Sequence, residues 1–175
     1  MNLPKVEFCD ISLLSEVDLM YDFLFLNQWG WKKYIIKKHR KLNKIFLFKT
    51  KTDQMKFLKK YVINFRKENE DIIEKNKITI NKAWKKIEKK YLNILSEVIE
   101  IDWPKDRKTI KAMFSINPIC PRFLDDWSFS LFYNYKITHT LEVITHEISH
   151  LLYFEKWKQM YPKMSHKKFD SPYVE

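Results

Sequence analysis

Residues 108–117 read KTIKAMFSIN, residues 127–135 read WSFSLFYNY and residues 138–152 read THTLEVITHEISHLL. The change of apolar period along these three stretches decides the fold. In the first, Ile110, Ala112, Phe114 and Ile116 alternate with Thr109, Lys111, Met113 and Ser115, the period of two of a strand with one buried face. Pro118 and Pro121 end it, because proline cannot donate to a central ladder. In the second, Trp127, Phe129, Leu131 and Tyr133 alternate with Ser128, Ser130 and Asn134. After Thr138, a good capping residue, the period returns to helical through Leu141, Ile144, Ile148, Leu151 and Leu152.

Upstream the pattern is helical. Residues 12–27 open with Ser12 as an N-cap and read as an apolar helix that ends before Gly30. From Asp53 onward, Leu58, Tyr61, Val62 and Phe65 recur at helical spacing with lysines between them. A further long pattern spans about 81–100, where Ala83, Trp84, Ile87, Tyr91, Ile94, Leu95 and Val98 form one stripe that reads as core. The expected fold class is α+β and predominantly helical: a helical N-terminal half, a small sheet, then a buried helix. One domain is expected over 1–175, with 1–100 helical and basic and 101–175 forming the strand-and-helix part.

Composition narrows the function classes. The 175 residues are 45% hydrophobic and 16% aromatic, enough for one sizeable core and too apolar for intrinsic disorder. No run approaches the ~18 uncharged apolar residues of a membrane span. Glu7 and Asp10 stand where a secretory leader would be basic, then apolar, and Cys9 and Cys120 are too few for a disulfide framework, so a cytoplasmic, reducing location is expected. Gly30 is the single glycine, which removes Gly-rich phosphate loops, dinucleotide fingerprints and the Gly-x-Ser-x-Gly nucleophile elbow.

The net charge of +11 is unevenly spread: residues 1–31 sum to −4, residues 32–90 to +15 and residues 91–175 to zero. The basic middle reads either as solvated helix faces or as a surface for nucleic acid or another acidic partner. Only Arg40, Arg66, Arg107 and Arg122 carry the planar fork that base-specific readout uses. Solvated faces are therefore the favoured expectation.

The chemistry sits in the last helix, where His146, Glu147 and His150 form His-Glu-x-x-His. Imidazoles four residues apart project side by side from one helical face, and a zinc ion held about 2.0–2.1 Å from each nitrogen fits between them. Glu147 reaches a water on the open side of such a metal and can take its proton as general base. Zinc lowers the pKa of that water to roughly 7 and polarises a substrate carbonyl. The motif is flanked by Val143-Ile144 and Leu151-Leu152, and burying an ionised carboxylate there costs several kcal/mol without a partner. The competing reading is a pair of satisfied surface histidines.

At His146, Glu147 and His150, with their apolar flanks and the strand-then-helix order, the sequence resembles the zincin zinc metallopeptidases over about residues 108–155. The resemblance implies a hydrolase that cuts a peptide or protein substrate with Zn2+, and a cleft bordered by a strand that precedes the motif helix, here 108–117 or 127–135. The extension of the metzincin subgroup is missing, since Leu151-Leu152-Tyr153-Phe154 follows His150. Gluzincins take a third ligand, a Glu, from a later helix. Glu175 fits by chemistry and Asp170 by distance along the chain, while Glu155 lies about 140° round the helix from His150 and points away. His166 stands among Lys163, Lys167 and Lys168 and reads as an exposed loop residue. Asp170-Ser171-Pro172 reads as a helix start, so a ligand-bearing helix beyond Glu175 is a further expectation. His139 is weighed as a donor to the site or an exposed capping-turn residue. Tyr153 and Tyr161 read as oxyanion stabilisers or packing residues, and Cys120 as a buried thiol.

Overall fold

The computed structural model describes residues 3–26 and 30–162. His166, Asp170 and Glu175 lie outside the described residues. The elements are β1 (Lys5–Asp10), α1 (Leu13–Phe25), α2 (Trp31–Lys38), a 3-10 segment (Arg40–Leu47), α3 (Lys51–Glu68), α4 (Glu70–Lys85), α5 (Glu88–Ile99), β2 (Thr109–Ser115), β3 (Arg122–Phe123), β4 (Ser128–Phe132) and α6 (Ile137–Met160). The fold is α+β and predominantly helical. Among the described residues no helix is long and apolar enough to cross a membrane.

Several helix starts follow the local chemistry. The Ser12 hydroxyl accepts from the Ser15 N–H at 3.1 Å, and the Thr50 hydroxyl caps α3 by accepting from the Asp53 N–H at 3.1 Å. The helix expected from Asp53 thus begins slightly earlier, at Lys51. The pattern expected over 81–100 is two helices, broken at Lys86-Ile87. Lys82, Lys86 and Lys90 repeat at i,i+4, as do Lys85 and Lys89, and such like-charge pairs weaken a continuous helix. Restarting at Glu88 turns the buried face by about one residue. Leu92, Leu95 and Ser96 are buried on α5, whereas Ile94 and Val98 are 45% and 73% exposed and Ile87 is also at the surface.

The sheet has the order β1-β2-β4-β3. β1 runs parallel to β2, pairing Lys5 with Thr109, and β2 runs parallel to β4. β1 was absent from the expected helical N-terminal half. Its partner is a hundred residues away, and the helices between supply the crossover that a parallel pair requires. Its outer edge is partly covered, because the Glu88 carboxylate accepts from the Val6 N–H at 2.8 Å. All five residues of β4 are buried, including Ser128 and Ser130, so the alternation expected for a half-exposed strand marks two covered faces. Trp127, expected as the first strand residue, instead takes a left-handed φ of 49° while its side chain is buried against Trp103. That backbone costs about 1–2 kcal/mol, and burying the indole offsets it.

One polar network ties the helices to the carboxyl end of β2. Glu16 of α1 is fully buried and accepts from Ser115 Oγ at 2.8 Å, from the Ile116 N–H at 2.6 Å and from Arg66 Nε. Arg66 also donates to the Phe114 carbonyl at 3.0 Å. Beside it, His39 is buried between the Ile116 carbonyl and the Tyr61 hydroxyl, each 2.8 Å away. The carbonyl can only accept, so Nε2 carries the proton and Nδ1 accepts from Tyr61. Burial accordingly holds the His39 pKa below its usual value.

Candidate active site

α6 begins at Ile137, one residue before the expected cap at Thr138, and its twenty-four residues span about 36 Å. Ile144, Ile148, Leu151 and Leu152 are buried and fix its rotation. That rotation leaves His146 exposed and His150 half-buried, and turns Glu147 inward to 6% exposure. The two imidazoles converge, with Nε2 to Nε2 at 3.0 Å and ring centroids 4.5 Å apart. Two nitrogens at about 2.05 Å from a tetrahedral zinc stand about 3.3 Å apart. The pair is therefore within a few tenths of an ångström of the separation that a shared metal requires.

The motif turn is clamped from α5. The Tyr91 hydroxyl donates to the Thr145 carbonyl at 2.6 Å and lies 3.0 Å from Ser149 Oγ, which itself bonds the same carbonyl at 2.7 Å. Burial raises the Tyr91 pKa, so it remains a neutral donor. Tyr91, read from sequence only as a core residue, thus positions the turn that carries both histidines.

Glu147 faces the opposite wall. Arg122 Nη1 of β3 lies 3.8 Å from Glu147 Oε2, and the guanidinium lies 5.7 Å from the centre of the Phe154 ring. Phe154 in turn stacks on His150, centroids 6.1 Å apart. Arg122 thus connects the carboxylate and one imidazole through a single residue. Its sequence signal is that it is the lone cation between Lys111 and Lys136. Cys120 is close enough for the Glu147 charge to raise its pKa; burial is the larger cause, and together they push the thiol up to about 12.

Of the two expected bordering segments, β4 packs on α6, but neither is an edge of the sheet. β2 and β4 are interior, and the edge is β3, whose two residues pair antiparallel with Phe129 and Ser128. Pro118 and Pro121 exclude a long strand there, and an edge accommodates proline because no ladder N–H is needed on its free side.

Other expected residues fall elsewhere. His139 is exposed, with Nδ1 3.1 Å from Glu142 Oε2 and its ring 4.4 Å from that of Tyr135. Glu155 accepts from Lys158 at 2.7 Å. Tyr153 packs beside Phe154 and Trp157, and Tyr161 beside Trp157. Lys85, Lys86, Lys89 and Lys90 are exposed. Among the described residues no three His, Cys, Asp or Glu side chains are grouped as a metal cluster. No protein-family model, curated protein or solved structure matches the chain.

Proposed function

We propose that the chain is a zinc-dependent metallopeptidase, hydrolysing a peptide bond with metal-activated water. The observation that carries this reading is the convergence of His146 and His150 to 3.0 Å while the adjacent Glu147 carboxylate turns into the fold beside β3. Paired surface histidines without a role do not require a buried carboxylate between them, and placing one there is costly.

The donor set fits zinc as far as it extends: two imidazoles on adjacent turns, with Glu175, Asp170 or a residue beyond Glu175 the proposed source of a third ligand. Zinc bound there would supply a water of pKa near 7 and a Lewis acid for the carbonyl. Glu147 accepts the proton of the attacking water and returns it to the leaving amine. Arg122 holds the carboxylate in place from β3, and Phe154 holds the His150 ring. Tyr91 fixes the turn between the two histidines.

Glu147→Gln is the discriminating substitution. It preserves shape and both imidazoles and removes the base, so zinc is retained while peptide hydrolysis falls by roughly 10²-fold or more. Equal hydrolysis by the two proteins would remove Glu147 from the mechanism.

A further inference from the structure

Near the carboxyl ends of the parallel strands, and sharing no lining residue with the His146–His150 turn, a cavity of about 400 Å³ opens between the α2–Arg40 junction and α3. That volume lies within the range of small-molecule sites. Its rim carries four cations within five consecutive residues, Lys37, Lys38, Arg40 and Lys41, against one carboxylate, Glu68. The fold itself holds them together. His39, in the middle of the run, is buried and bonded to the Ile116 carbonyl just past β2 and to Tyr61, so the flanking cations are displayed at one mouth.

The wall of the cavity is aromatic. Tyr61 and Phe65 of α3 both line it, and Phe65 packs edge-on against Tyr133, just past β4. Through His39 and Phe65 the lining is anchored to Ile116 and Tyr133, the residues following two parallel strands, close to where open α/β sheets bind ligands. Concentrated cations demand an anion, and flat half-buried rings favour a flat apolar partner.

We propose that this cavity binds a nucleotide, with its phosphate on the Lys37–Lys41 rim and its base against Tyr61 and Phe65. Lysine charges take a phosphate without a glycine-rich loop, which this chain lacks. Aromatic faces accept any base, so the site discriminates weakly among the four. The nucleotide can be free or one unit of a single strand, since both present the same phosphate and ring.

The test uses the full chain with fluorescently labelled AMP and a labelled fifteen-residue oligouridylate, read by anisotropy. Saturation by AMP assigns a free nucleotide, and saturation by the oligonucleotide alone assigns a strand unit. Absence of both at millimolar probe overturns the proposal. Lys37→Glu with Lys41→Glu should weaken binding about tenfold or more, the loss of one charge-assisted hydrogen bond at the least. Lys85→Glu with Lys89→Glu makes the same charge change elsewhere and should leave affinity within about twofold. An equal loss in both pairs would show unspecific attraction and refute the site. Phe65→Leu should weaken AMP but leave inorganic phosphate, used as a competitor, unaffected. On the unmodified chain, amide chemical shifts perturbed by AMP should cluster at 37–41 and 61–68. Perturbation confined to other residues would contradict the proposal even if the charge variants fail to fold.

Discussion

Truncating Glu16 should be among the most damaging single changes to this fold. The carboxylate is fully buried and joins α1 to the end of β2 and to Arg66 of α3. Glu16→Ala leaves the Ile116 N–H buried without its acceptor, a cost of about 1–3 kcal/mol. It also strips Arg66 of its counter-charge, although the Phe114 carbonyl bond survives and 22% of that side chain is exposed, which softens the loss. The sum is about 3–4 kcal/mol, at the lower end of the range for breaking one partner of a buried pair. For a chain of this length that corresponds to a Tm lower by roughly 6–16 °C. Glu16→Gln keeps one oxygen for Ser115 and Ile116 but gives up the charge and the acceptor for Arg66 Nε, since an amide nitrogen only donates, so more than half of the loss is expected, short of the full cost of Glu16→Ala. Urea unfolding followed by tryptophan fluorescence measures both. Glu16→Ala within about 1 kcal/mol of the wild type, or Glu16→Gln as damaging as Glu16→Ala, would refute this account of the network.

Three further outcomes follow from named groups. The depressed pKa of His39 means that the unfolded chain binds the proton more readily. The associated stability is complete above about pH 6.5 and is lost as pH falls through that value toward the lowered folded pKa; His39→Gln should flatten the dependence of unfolding free energy on pH between about 7.5 and 5. Tyr91→Phe removes the hydroxyl from the Thr145 carbonyl and should cost about 1 kcal/mol in unfolding free energy, while metal affinity falls further than that loss of stability alone explains. With its thiol pushed up to about 12, Cys120 should resist iodoacetamide at pH 8 in the folded chain and react once urea unfolds it, which peptide mass spectrometry reads directly.

The parts of the fold legible in the sequence are those with a local cause. Ser12 caps α1 through its own hydroxyl, and the alternation over 109–115 is a strand because one set of side chains faces the core. The return to helical period after Thr138 locates the start of α6 to within two residues, and with it the pairing of His146 and His150, although the helix runs on past Leu152 to Met160. What escaped notice depends on distance. β1 is six residues long and is held by a partner a hundred positions away. The phase error along α5 arises at Lys86-Ile87, where the helix is interrupted inside a stripe that apolar spacing alone reads as continuous. Arg122 and Tyr91 reach the motif only through tertiary packing, and nothing in their sequence neighbourhood names Glu147 or Thr145 as the partner. The cations at 37–41 were legible only as part of the basic segment 32–90, and the aromatic wall that makes a cavity beside them comes from α3, a helix away.

Zinc content per chain is the most direct measurement of the central proposal. The protein, purified without chelator and dialysed against metal-free buffer, should carry about one zinc by plasma mass spectrometry. His146→Ala and His150→Ala should each carry almost none while keeping the wild-type circular dichroism. Zinc-free wild-type protein that also fails to take up added zinc, or zinc retained in full by both variants, would contradict the assignment of this turn as a metal site.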